Sequence, residues 1–165
     1  MSALADALAA GTIADRVWFY ANYHCNLQCS YCLTESAPLV KRRELGREAI
    51  LARAREAKDL GFGAYGVTGG EPFILDYMPE LIAELGRGLP TIVLSNATLF
   101  NERRLREVEP LADLPVHIQI SLDHPDPITL RKSLQISGFR FLARAQDAAQ
   151  GSDSGPISAT TERHG

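Results

Sequence analysis

The stretch HCNLQCSYC, His24 to Cys32, constrains this chain more than any other part of it. The sequence holds only three cysteines, and all three fall here as Cys25-x3-Cys29-x2-Cys32. Thiolates gathered in this way select soft metals: zinc, copper(I) or iron–sulfur centres. Structural zinc asks for four ligands in a closed tetrahedron. The only further candidate is His24, and a residue adjacent to Cys25 is badly placed to converge on the same ion. A cubane [4Fe–4S] cluster held by three cysteines keeps one iron without a protein ligand, which is the open position a catalytic metal needs. Two other readings stay open on the residues alone. One is a zinc site. The other is a thiol–disulfide pair formed by Cys29-Ser30-Tyr31-Cys32, which gives Cys25 no part to play.

The bulk properties set the frame. A chain of 165 residues has room for one domain at roughly 150 residues each. Hydrophobic residues make up 45% and charged residues 22%, enough to bury an ordinary core. The net charge of -3, without a basic patch, gives no reason to expect nucleic acid. No apolar run approaches the ~20 residues that cross a bilayer. The N-terminus MSALADALAAGTIADR lacks the cationic start and apolar stretch of a signal peptide. A cytoplasmic chain with reduced thiols is the expectation, because three closely spaced cysteines make a poor disulfide framework.

Strand and helix patterns alternate along the chain. RVWFYANY, rich in aromatic and β-branched residues, reads as a buried strand running into the cysteines. In ELGREAILARAREAKDLGFG, Leu45, Ile50, Ala54, Ala57 and Leu60 recur near helical spacing and Gly61 supplies a stop. AYGVTGGEP is a short strand broken by a glycine pair and a proline. DYMPELIAELGRG is a second helix with Leu81, Ile82 and Leu85 on its apolar side. TIVLSN is a third strand, NERRLREVEPLAD a helix capped by Asn101, and VHIQISLD a fourth strand. Connections too long for hairpins make these βα units of a parallel sheet. After Asp123, HPDPITLRKS reads as a loop, GFRFLARAQDAAQG as one more helix and SDSGPISATTERHG as a disordered tail. The expected organisation is a leader over 1–16, a core over 17–150 and a tail over 151–165.

Parallel α/β folds place chemistry at the C-terminal ends of their strands. The cysteines follow the first strand, Gly69-Gly70-Glu71 the second, Ser95-Asn96 the third, and Ser121 and Asp123 the fourth. Four separate segments are thereby predicted to share one rim.

These residues resemble the signature of radical S-adenosylmethionine (SAM) enzymes. Tyr31 precedes the last cysteine of the triplet, and TGGEP, Thr68 to Pro72, looks like the family's Gly-Gly-Glu motif. CNLQCSYC, TGGEP, LSNATL and ISLD together are similar to the branch of molybdenum-cofactor synthesis enzymes and peptide-modifying maturases. The resemblance runs from about Val17 to Asp123. It implies an α/β fold of the partial TIM-like (β/α)6 barrel type. It implies a [4Fe–4S] cluster on Cys25, Cys29 and Cys32, and SAM on the fourth iron. One electron cleaves SAM to methionine and a 5′-deoxyadenosyl radical, which abstracts hydrogen from a substrate. On the same grounds Gly69, Gly70 and Glu71 meet the SAM amino group, and Tyr31 faces the adenine. Ser95, Asn96, Ser121, Asp123 and Arg131 complete the SAM contacts. An electron donor such as flavodoxin or ferredoxin is implied, with a small molecule or peptide as substrate. His24 and His117 read as structural.

The chain departs from the family pattern in three places. Ala97 stands where the branch has glycine, so the turn there is expected to differ, because alanine resists positive φ. Arg131 comes a few residues early. About four βα units are visible instead of six, with no fifth strand after VHIQI, so the barrel is expected to be incomplete. A fragment, or a chain altered at its C-terminus, is the expectation, and a non-catalytic iron–sulfur or metal-binding remnant is the alternative to an enzyme.

Overall fold

The computed structural model describes residues 3–121 and the backbone of 157–160. Elements run in the order α1 (Ala3–Ala9), β1 (Arg16–Tyr20), α2 (Arg47–Asp59), β2 (Ala64–Thr68), α3 (Met78–Gly88), β3 (Thr91–Ser95), α4 (Glu102–Val108), β4 (Val116–Ser121) and β5 (Ile157–Thr160). The five strands form one sheet in the order β1-β2-β3-β4-β5. Every pairing is parallel, with Tyr20 beside Thr68, Ser95 beside Ile120 and Ser121 beside Thr160. From β1 to β4, sequential parallel neighbours joined by helices are the βα repeat of a barrel wall, so the fold is the α/β, incomplete-barrel type that the sequence implies.

Alternation along the strands decides which side chains are buried. On β3, Thr91, Val93 and Ser95 are buried and Ile92 and Leu94 only partly so; on β4 the same holds for Val116 and Ile118 against His117 and Gln119. The buried set joins Phe19 and Val67 of the sheet to Ile50, Leu51, Ala54 and Ala57 of α2 and to Met78, Leu81, Ile82 and Leu85 of α3. Tyr65 ties the layers further: its hydroxyl donates to the Ala54 carbonyl at 2.7 Å. Arg47 of α2 is paired with Glu84 of α3. No described helix is long and apolar enough to cross a membrane.

Three elements differ from the sequence expectation. The leader contains α1, which buries no side chain. NERRLREVEPLAD is not one helix: α4 ends at Val108, and Glu109–Asp113 tightens into a 3-10 turn with Pro110 in its first two positions, where a missing N–H costs nothing. The expected disordered tail includes β5, so a fifth strand does follow VHIQI. Its partner supplies the reason: Ile157 to Thr160 pairs with Ile118 to Ser121, a tertiary contact that local composition does not announce. Asp123, Arg131, the loop HPDPITLRKS and the helix GFRFLARAQDAAQG lie outside the described residues.

The turn after β3 keeps a left-handed residue despite the alanine. Ala97 sits at φ 54° and is buried. Its N–H donates to Ser95 Oγ at 2.9 Å, and that bond holds the conformation. A left-handed L-residue costs roughly 1–2 kcal/mol, while loss of a buried methyl costs about 0.8 kcal/mol. Ala97→Gly is therefore expected within about 1 kcal/mol of the parent in chemical denaturation. Ala97→Val, β-branched at positive φ in a filled space, is expected to lose at least about 2 kcal/mol.

Candidate functional site

The loop after β1 does not stand free; it lies on the loop after β2. A Cβ added to Gly69 would come within 2.6 Å of Asn22 Oδ1 and 2.7 Å of the Asn22 carbonyl. One added to Gly70 would come within 2.3 Å of the His24 carbonyl oxygen. The glycine pair is thus required by the protein's own backbone, which must approach it that closely. Asn22, almost fully buried, fastens the contact: its Nδ2 donates to the Glu71 carbonyl and its Oδ1 accepts from Gly70 N–H, both at 3.0 Å. The Glu71 N–H donates to the His24 carbonyl at 3.0 Å, so His24 serves the loop through its backbone.

Glu71 lies beneath the glycine pair. The residue is 1% exposed, and its oxygens accept from protein groups. Oε1 takes Phe73 N–H at 3.0 Å and the Ser95 hydroxyl at 2.9 Å; Oε2 takes Asn96 N–H at 2.8 Å. Burial pushes this carboxyl up, and the three donors and the Arg104 charge pull against that without cancelling it. Ser95 correspondingly spends its proton on Glu71. The pair clamps the end of β2 to the end of β3 beneath the cleft.

Above the clamp, one cleft of about 220 Å³ is lined by Cys25, Cys29, Tyr31, Cys32, Gly69, Gly70, Ser95, Asn96 and Ser121, among others. Nine of the residues singled out from sequence therefore come together. A neighbouring cleft of about 580 Å³ shares Tyr31, Cys32, Gly69 and Ser121 and adds Tyr20, Leu33 and Thr34. The first is smaller than the roughly 300–1,000 Å³ of small-molecule sites, and the second lies within that range. Residues missed by sequence reading, Asn22, Asn26, Thr98 and Arg104, support the walls. No local pattern could have revealed them, because their partners lie between 31 and 72 residues away.

The three thiols differ in character. Burial pushes the Cys25 thiol up from about 9 to about 11, although Leu27 N–H donates to its sulfur at 3.4 Å. Burial also raises the Cys32 thiol, but the Thr34 hydroxyl and the backbone N–H groups of Ser36, Thr34 and Glu35 outweigh it and hold Cys32 below its ordinary value. All three cysteines are unbridged. Among the described residues, no three His, Cys, Asp or Glu side chains converge where a single metal ion could sit. Three thiols on one cleft are one ligand short of a closed zinc tetrahedron and match the cysteine count of a cubane cluster with one open iron.

Two outcomes follow from this geometry. Gly70→Ala forces the Asn22–Cys25 backbone off the strand end and is expected to destabilise by about 3 kcal/mol in thermal or chemical denaturation. In the reduced, metal-free chain, iodoacetamide is expected to label Cys32 before Cys25, read by peptide mass. A thiol held neutral to about 11 in the fold ionises near 9 once unfolded, so the unfolded state releases its proton first. The contribution of Cys25 to stability is therefore whole below pH 9 and declines as pH rises from 9 toward 11.

Residues 21–149 match the Radical SAM superfamily. The match continues past Asp123, where the legible motifs end. The chain is 32% identical over 136 residues to the GTP 3',8-cyclase of Rhizobium leguminosarum bv. trifolii (strain WSM2304), covering 76% of this chain and 37% of that protein. It therefore spans little more than a third of that relative. Among solved structures, Streptococcus suis SuiB bound to S-adenosylmethionine superposes with a TM-score of 0.64 at 20% identity, over 80% of this chain and 31% of SuiB. The methyltransferase TsrM from Kitasatospora setae, with cobalamin and a [4Fe-4S] cluster bound, gives 0.60 at 15% identity, over 82% of this chain and 27% of TsrM. The superfamily match takes in well over half of the sequence, and the chain belongs to the radical SAM superfamily.

Proposed function

We propose that this chain binds a [4Fe–4S] cluster and SAM and forms the cofactor-binding portion of a radical SAM enzyme. The carrying observation is the single cleft into which Cys25, Cys29 and Cys32 open beside the Gly69–Gly70 backbone. When bound, the cluster supplies one electron to the sulfonium of SAM, whose cleavage yields methionine and a 5′-deoxyadenosyl radical.

The chain's own groups have separate tasks. The three thiols hold the cluster after losing their protons, Cys32 more readily than Cys25. The strand-end backbone at Gly69 and Gly70 offers the SAM amino group polar contacts. Tyr31, half exposed on both clefts, packs against the adenine, and Ser121 and Asn96 border the cleft. The family resemblance assigns further SAM contacts to Asp123 and Arg131. Glu71 and Ser95 act from below, by fixing where the β2 and β3 ends stand.

The substrate lies with the larger cleft. The similar cyclase is named for GTP, and SuiB has also been solved bound to a precursor peptide, SuiA. A small molecule or a peptide is the corresponding proposal here, with flavodoxin or ferredoxin as electron donor and the reducing cytoplasm as the setting. The competing reading is a cluster-binding chain without SAM cleavage. It draws on Trp18 and Tyr20, which remain about 40% and 46% exposed on the sheet.

Anaerobic reconstitution with iron and sulfide tests the proposal. The expected result is a brown chain with iron and sulfide in equal amounts. Dithionite and SAM then give 5′-deoxyadenosine, detected by mass. Replacing any one of Cys25, Cys29 or Cys32 with alanine is expected to cut bound iron severely. Cluster without the nucleoside product supports the non-catalytic reading. Zinc without sulfide, or a redox-active Cys29–Cys32 pair with no cluster, overturns both.

A further inference from the structure

A closed ring of side-chain hydrogen bonds stands beside Cys25 and joins it to the loop after β3. Asn26 Nδ2 donates to Thr98 Oγ1 at 2.6 Å, and Thr98 Oγ1 donates to Asn96 Oδ1 at 2.7 Å. Thr98 N–H reaches the same Oδ1 at 3.0 Å. With two donors on its oxygen, the Asn96 amide has only one orientation: its NH2 must face the other way. One proton goes to Asn26 Oδ1 at 3.1 Å and the other to Cys25 Sγ at 3.7 Å, a separation suited to sulfur. Cys25 Sγ thus receives two N–H dipoles, from Asn96 and from Leu27.

We infer that Asn96 is a positioning residue for cluster electronics: its amide, oriented by Thr98 and Asn26, donates to the Cys25 sulfur and raises the cluster's reduction potential. The inference rests on the proposed cluster and deepens it. Reduction adds negative charge to the cluster and its sulfurs. An N–H aimed at a ligand sulfur stabilises that charge, so hydrogen bonds to the sulfurs are one of the terms that set the potential of an iron–sulfur centre. The Asn96 backbone N–H is bound separately to Glu71, so a side-chain change leaves that tie in place.

The sign of the effect separates this role from simple support. Loss of the N–H dipole lowers the potential. Loosening of the loop admits water, which stabilises the reduced cluster and raises it. The test uses the full reconstituted chain and two variants, Asn96→Leu and Thr98→Val. The second keeps shape while removing the hydroxyl that orients the amide. Iron and sulfide content is measured first, then the cluster's midpoint potential by dye-mediated titration followed by electron paramagnetic resonance. The expected result is parental iron content in both variants. The one-electron reduction equilibrium falls about tenfold in Asn96→Leu, or ~59 mV, and moves in the same direction by less in Thr98→Val. Full clusters with unchanged potentials, or potentials that rise, overturn the role of Asn96 while leaving the cluster itself standing. A parent chain that takes up no iron and sulfide overturns the underlying proposal instead. If Asn96→Leu fails to hold a cluster, the Thr98→Val potential decides alone.

Discussion

The site depends on one contact: the backbone after β1 lies directly on the backbone after β2, at a distance that only glycine permits. Asn22 sits in that contact with both ends of its amide used, so the two loops are joined by hydrogen bonds as well as by shape. Buried amide groups of this kind add modestly when paired and cost about 1–3 kcal/mol when left unpaired. Their chief effect is therefore specificity of position. Cys25 follows three residues after Asn22, so whatever fixes Asn22 also fixes where the first thiol enters the cleft.

Glu71 extends the same constraint to β3. A buried carboxylate is expensive, and burial does raise its pKa. What it gains in return is capacity. Three donors from three different places, Phe73 N–H, Ser95 Oγ and Asn96 N–H, converge on it. A glutamine has a single oxygen and would turn an N–H toward one of those donors, and an apolar residue would strand all three. Arg104, itself buried, adds a cation behind this loop; it donates to the Phe73 carbonyl at 3.0 Å and lies 2.8 Å from Glu107 of its own helix. The carboxylate thus holds the Phe73 N–H and the guanidinium its carbonyl.

The parts of this arrangement that could be read from sequence are those written in local spacing. The strands β1 to β4 and the periodicity of α2 and α3 appear where the apolar runs put them, and parallel pairing follows from connection length. β1 is not the buried strand its aromatic run suggests, because it lies at the sheet edge and buries only Phe19, with Trp18 and Tyr20 exposed. The cysteine spacing and the glycine pair were legible as local spacing too. What was not legible depends on partners distant in the chain. β5 is four residues in a polar stretch that become a strand only beside β4. Glu71 carries the same letters whether its side chain faces a ligand or the interior, so its burial had to be seen. Asn26 and Thr98 are 72 residues apart, and nothing near either one announces the other.

Ala97 shows how these layers combine. Its left-handed conformation is unfavourable for an alanine, yet the turn keeps it because three neighbouring groups are already committed. The Ser95 hydroxyl that donates to Glu71 also accepts the Ala97 N–H, and the Asn96 N–H is held by the other oxygen of Glu71. With residues 95 and 96 fixed in this way, the chain turns back through positive φ at position 97. That turn brings Thr98 N–H and Oγ1 onto the Asn96 side chain. Backbone strain is tolerated where surrounding bonds over-determine it. Here the over-determination begins at a buried carboxylate below the cleft and ends at an amide facing a cysteine sulfur, so the same set of hydrogen bonds that shapes the rim also orients the groups on it.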